Sequence, residues 1–121
     1  MSESEYVKGL EITVLGVGFM GAAVCEAFTN VGAKVTAWNQ TKSKENELLD
    51  KKVIANVANS PAEAISGTQA TVMCLAGRAN LETLQSQDVQ KVMNGKHVII
   101  LSATLPKEGV EIDKVVAEAC F

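Results

Sequence analysis

The stretch Ile12-Thr13-Val14-Leu15-Gly16-Val17-Gly18-Phe19-Met20-Gly21 decides the fold. A short β-branched run, Ile12 to Gly16, ends in glycines and passes at once into a longer segment. There Met20, Val24, Phe28 and Val31 recur at three- to four-residue spacing. The first pattern belongs to a strand. The second lays one apolar stripe along a helix over Phe19 to Asn30, which Gly32 stops. Gly16 permits the tight turn between them, Gly18 leaves the backbone open to an approaching group, and Gly21 lets helix and strand come close.

Outward from this junction the same alternation continues. Lys34 to Trp38 reads as a second strand, and the polar stretch Gln40 to Lys52 as a short helix beginning near Thr41 or Ser43. Val53 to Val57 reads as a weak third strand. Ser60-Pro61-Ala62-Glu63 places a hydroxyl, a proline and a carboxylate in the order that satisfies orphan amides at a helix start, so a small helix follows to Ile65 or Ser66. Ala70 to Leu75 is an apolar run of strand length between Gly67 and Gly77. Leu81, Leu84, Val89 and Val92 support one or two short helical turns, Val98 to Leu101 a fifth strand, and Val110, Ile112, Val115, Val116 and Ala119 a last amphipathic helix. Aliphatic strands alternating with helices predict an α/β domain, a doubly wound parallel sheet covered on both faces. Right-handed crossovers give the strand order 3-2-1-4-5, with a ligand at the carboxyl ends near strands one and four. Residues 1–9 read as a loose arm and residues 10–121 as a single domain.

Composition fits that reading. Of 121 residues, 47% are apolar and 21% charged, while Pro 2, Gly 9 and Cys 3 exclude a disordered tail, a collagen-like repeat or a cysteine-stapled scaffold. A formal charge of −3 gives no basic field for a polyanion, so nucleic acid is not an expected partner. No apolar run reaches the roughly 18 residues of a membrane span, and the start, Met1-Ser2-Glu3-Ser4-Glu5, is acidic, so a cytoplasmic protein is expected. Cys25, Cys74 and Cys120 read as buried free thiols, and His97 as a polar strand opener; no metal site is expected.

The Gly16-Val17-Gly18-Phe19-Met20-Gly21 spacing points to chemistry because it follows a strand and opens a helix. Free amides at the helix start, with its partial positive charge, suit the diphosphate bridge of a dinucleotide. Two other readings stand beside this one: a mere tight turn, and S-adenosylmethionine binding, which calls for an acid at the end of strand two. That end reads Trp38-Asn39-Gln40-Thr41-Lys42-Ser43-Lys44, with Glu45 the first acid. A carboxylate there would repel an adenosine 2′-phosphate, whereas neutral and basic groups accept it, so NADP is favoured and NAD remains possible.

Val14-Leu15-Gly16-Val17-Gly18-Phe19-Met20-Gly21 followed by Val35-Thr36-Ala37-Trp38-Asn39-Gln40-Thr41 resembles the β-hydroxyacid dehydrogenases, which include 3-hydroxyisobutyrate and 6-phosphogluconate dehydrogenases and the imine reductases. Lys44, Ser60-Pro61-Ala62-Glu63, the Cys74-Leu75 strand end and Ser102 ahead of Pro106 match the family in order and spacing. The resemblance implies an NADP-binding Rossmann domain of an oxidoreductase that moves hydride to or from a small hydroxy acid or imine. It implies that Val17, Gly18, Phe19 and Met20 line the diphosphate, that Asn39, Thr41 and Lys44 meet the adenosine phosphate, that Leu75 and Ala76 face the nicotinamide, and that Ser102, Ala103 and Thr104 face nicotinamide and substrate. Gln40 stands where NADP-dependent members carry arginine, and Ala76 and Ala103 also depart from the usual residues. Family members continue into a glycine-rich motif with a catalytic lysine and a helical domain. The expectation is therefore a chain with no catalytic residue of its own, taking substrate only when completed by a C-terminal domain, and pairing with a second copy or a partner chain. The alternative is a non-catalytic NADP(H) sensor or interaction module.

Overall fold

The computed structural model describes residues 9–75 and 79–101. Five parallel strands form one sheet: β1 (Glu11–Leu15), β2 (Lys34–Trp38), β3 (Asn56–Val57), β4 (Ala70–Met73) and β5 (His97–Ile100), in the order β3-β2-β1-β4-β5. The helices are α1 (Phe19–Asn30), α2 (Lys42–Asp50), α3 (Pro61–Ser66), α4 (Ala79–Gln85) and α5 (Gln87–Val92). The chain steps outward from β1 to β2 and β3, then crosses back through α3 to β4 on the other side of β1. That reversal opens a crevice at the carboxyl ends of β1 and β4, as the expected order requires. Ala76, Ser102, Ala103, Thr104, the predicted last helix, Cys120 and most of the predicted arm lie outside the described residues.

Local chemistry sets the helix ends. Gly32, at φ 97°, adopts a backbone that side chains disfavour, and the N–H groups of Gly32 and Ala33 turn back to Thr29 O and Phe28 O, closing α1. At α3, Ser60 Oγ accepts the Glu63 N–H at 3.1 Å, Glu63 Oε2 takes the Asn59 N–H at 3.3 Å, and Pro61 fills the first helical position.

Two aliphatic clusters sandwich the sheet. Ile12, Val14, Val35, Ala37 and Val72 pack with Val17, Cys25 and Ile54 on the side of α1 and α2. Leu15 and Met73 pack with Ile65, Leu84, Val89 and Met93 on the side of α3, α4 and α5. Among the described residues β5 is the least covered strand, with Ile99 47% exposed. Cys25 is buried and Cys74 half-buried against the same cluster, so the expectation of full burial holds for Cys25 and not for Cys74, which lies just beyond the end of β4.

Strand limits differ from expectation for backbone reasons. β1 ends at Leu15 because Gly16 has φ 90°. β3 is two residues long because Lys52, at φ 61°, and the Val53 N–H bonded to Leu48 O hold the preceding chain in a turn. β4 ends at Met73, although the Cys74 N–H still reaches Leu15 O at 2.8 Å. β5 begins at exposed His97, the polar opener, and ends at Ile100.

One polar row crosses this apolar interior. Thr13 stands in register with Thr36 on one side and Thr71 on the other. Thr13 Oγ1 donates to Ala64 O at 2.6 Å and lies 2.6 Å from Thr68 Oγ1, fastening α3 to the sheet centre. The buried Thr71 Oγ1 finds no hydrogen-bond partner among the described residues. Removing a bonded hydroxyl leaves its partner unsatisfied, whereas removing an unbonded one relieves a desolvation cost. Thr13→Val is therefore expected to lower stability by about 1 kcal/mol and Thr71→Val to be neutral or stabilising by a similar amount. Urea unfolding of the two variants beside wild type checks the opposite signs.

Candidate functional site

The crevice is built from the glycine loop. Gly16 donates its N–H to Trp38 O at 2.8 Å, and a Cβ on it would lie 2.9 Å from the Cys74 carbonyl group. A Cβ on Gly21 would lie 1.8 Å from Gly16 O. These two glycines are thus dictated by contact within the protein. Gly18 differs: a Cβ there would meet nothing within 4 Å, so its missing side chain opens space outside the protein.

That space faces the start of α1. The first helical bond runs from the Ala22 N–H to Gly18 O at 2.9 Å, so the N–H groups of Phe19, Met20 and Gly21 have no acceptor within the helix. No acidic residue sits in the first turn to offset its partial positive charge. Donors, positive potential and an open approach coincide, which is the arrangement a diphosphate requires. Val17, expected to line the same group, is buried and gives its N–H to Asn39 Oδ1 at 3.0 Å. Phe19 projects into solvent at 99% exposure.

The tail of β2 forms the neighbouring wall. Besides accepting from Val17, the Asn39 side chain donates from Nδ2 to Thr41 O at 3.0 Å, and the Asn39 main-chain N–H donates to Glu45 Oε1. Glu45 is wholly buried. Lys42 Nζ lies 3.4 Å from both of its oxygens, donates to Ala58 O at 3.1 Å and stands 5.7 Å from the Trp38 ring centre. Gln40, Thr41 and Lys44 are exposed at the start of α2. The Lys42–Glu45 pair was missed in the sequence, where its one signal was a basic and an acidic residue three apart in a helix.

Beside this wall opens a cavity of about 330 Å³, lined by Trp38, Gln40, Pro61, Leu75, Ala79 and Thr83 among others. Two of its lining residues also adjoin the loop: Trp38 accepts the Gly16 N–H, and Leu75 Cδ2 lies 3.0 Å from where a Cβ on Gly16 would stand. Leu75, expected on the nicotinamide side, shares this cavity with Gln40, and its N–H is held by Asn80 Oδ1 at 3.2 Å.

Cys74 adjoins the loop, its Cβ 3.5 Å from the Cβ position of Gly21. Burial raises the pKa of its thiol, and burial, with a smaller contribution from Cys74, pushes Cys25 up to about 12. Both shifts favour the protonated thiol. Among the described residues no group of three His, Cys, Asp or Glu could hold a metal ion, and no helix is long and apolar enough to cross a membrane.

The profile of the NAD binding domain of 6-phosphogluconate dehydrogenase matches residues 11–120. Glyoxylate/succinic semialdehyde reductase 1 of Arabidopsis thaliana is 31% identical over 110 residues, which cover 88% of this chain and 37% of the plant protein. The imine reductase of Myxococcus stipitatus in complex with NADP+ superposes with a TM-score of 0.80 at 26% identity, covering 90% of this chain and 37% of that one. The Streptomyces aurantiacus imine reductase gives 0.81 at 28% identity, covering 91% and 38%. The chain thus spans less than two fifths of the length of each of these proteins.

Two outcomes follow from this geometry. Gly18→Asp is expected to fold as wild type yet lose dinucleotide binding, since a carboxylate would occupy and repel the diphosphate space; Gly21→Ala should instead destabilise by about 1–3 kcal/mol through overpacking. Thermal unfolding paired with NADPH titration separates the two. For Cys25, the native thiol keeps its proton to about pH 12 while the unfolded one loses it near 9.0, so its contribution to stability is full below pH 9.0 and falls as pH rises above it. Unfolding free energies of wild type and Cys25→Ala, measured from pH 8 to 11, should converge above pH 9.

Proposed function

The chain belongs to the family of NAD-binding domains typified by 6-phosphogluconate dehydrogenase, and from that premise we propose that it holds NADP in preference to NAD along the carboxyl edge of its sheet. The observation that carries this reading is the open cradle at Gly18, where main-chain donors at the start of α1 meet a space with no atom of the described residues within 4 Å of a Cβ placed there. The diphosphate sits there, held by the N–H groups from Phe19 onward.

The adenine half enters the cavity beside the β2 tail against Trp38 and Pro61, with Gln40 in place of a planar cation. The 2′-phosphate meets Thr41 and Lys44, the exposed polar and basic groups of the α2 start. The nicotinamide supplies the hydride-transfer chemistry of an oxidoreductase, and the protein's share is binding and orientation. Leu75, Ala76, Ser102, Ala103 and Thr104 would face that ring. A small hydroxy acid, aldehyde acid or imine is the substrate class that the matched reductases support for the whole protein. Among the described strands β5 is an edge, with Ile99 and Leu101 exposed, which supports the expectation that a second copy or a partner chain covers it.

The test uses charge at the 2′ position. Lys44→Glu is expected to weaken NADPH roughly tenfold, the ~1.4 kcal/mol of one charge-assisted contact, while NADH changes little. Isothermal titration with both nucleotides reads the difference, and equal losses would contradict the assignment.

A further inference from the structure

We propose that Glu45 is a positioning residue of the dinucleotide site, its buried carboxylate holding the tail of β2 so that the Asn39 side chain stays locked on the glycine loop. The inference rests on the reading that this loop holds a dinucleotide. Its warrant lies in what Glu45 touches.

Glu45 is 0% exposed, in a helix that is otherwise almost entirely polar and solvated. A carboxylate removed from water destabilises a fold unless its oxygens find donors. Here one oxygen accepts the Asn39 main-chain N–H, and both lie 3.4 Å from Lys42 Nζ, which also reaches Ala58 O. Glu45 therefore joins the end of β2 to the first turn of α2, and through Lys42 to the chain just beyond β3.

The consequence runs along Asn39. With its main chain fixed by Glu45, the Asn39 side chain spans Val17 N–H and Thr41 O. This removes Val17 from the donors open to phosphate and sets the pitch of the loop, so that the N–H groups from Phe19 onward face the open side of Gly18. The same contact ties the diphosphate cradle to Thr41, at the adenosine phosphate. Glu45 also neutralises Lys42, leaving Lys44 exposed on the outer side of the turn.

Because both nicotinamide coenzymes use the same diphosphate cradle, loosening it weakens both. Glu45→Ala is expected to raise the Kd for NADPH and NADH alike by about tenfold and to speed hydrogen exchange at the Val17 amide in the nucleotide-free protein. Glu45→Gln retains an acceptor for the Asn39 N–H and is expected to restore Val17 protection and bring NADH affinity back to within about threefold of wild type. A purely structural residue would lower the unfolding midpoint without this paired response in exchange and affinity.

The full chain is assayed by titration with NADPH and NADH and by amide exchange. Wild type that binds either nucleotide, with a folded Glu45→Ala variant showing unchanged Kd values and unchanged Val17 protection, overturns the positioning role while the dinucleotide reading stands. Wild type that binds neither nucleotide overturns the dinucleotide reading and, with it, this role. If Glu45→Ala does not fold, Glu45→Asp takes its place, its carboxylate one methylene short of the Asn39 N–H: loss of Val17 protection with a common loss of affinity supports the proposal, and wild-type behaviour overturns it.

Discussion

Backbone amides that a helix cannot satisfy for itself are the constraint around which this domain is organised. The opening of α1 presents the N–H groups of Phe19, Met20 and Gly21 without intrahelical acceptors. They can face outward only because the helix is drawn tightly onto the sheet at Gly21 and the turn is made at Gly16, where side chains would collide with Gly16 O and the Cys74 carbonyl group. Close packing on one side of the loop and open space at Gly18 on the other are two halves of one arrangement. The rest of the sheet maintains it: Leu15 O receives the Cys74 N–H, Trp38 O receives the Gly16 N–H, and the aliphatic clusters keep β1, β2 and β4 level behind the turn.

Electrostatics divides the site along its length. In the proposed complex the diphosphate end would rely on peptide dipoles, fixed by the fold and indifferent to which coenzyme arrives. The adenosine end would rely on side chains at the start of α2, where Lys42 is bound up with Glu45 and Lys44 is exposed. Discrimination between a ribose hydroxyl and a ribose phosphate would then fall to a few exposed groups, and affinity common to both coenzymes to the loop.

The features legible in the sequence were those fixed by local rules. The glycine loop, the Ser60-Pro61 helix start and the Gly32 stop each depend on backbone geometry within a few residues. The order β3-β2-β1-β4-β5 follows from handed crossovers once the strands are recognised. Features assembled from distant parts were not legible. β3 shrank to Asn56–Val57 because a left-handed Lys52 consumes the residues before it, and nothing in the Val53 to Val57 run announces that. Glu45 looked like one more solvated charge in a lysine-rich turn; its burial depends on where Asn39 and Lys42 come to rest. The cavity draws on β2, α3, α4 and α5 together, so no single motif marks it.

The central claim is that main-chain donors at the opening of α1 hold a dinucleotide diphosphate, and it is tested most directly by titrating the 15N-labelled chain with NADPH and following individual amides. The account predicts large, saturable shifts at Phe19, Met20 and Gly21, with only a small change at Val17, whose N–H is already held by Asn39. Saturable binding that leaves the amides of residues 19–21 unmoved, or no binding at millimolar nucleotide, would contradict it.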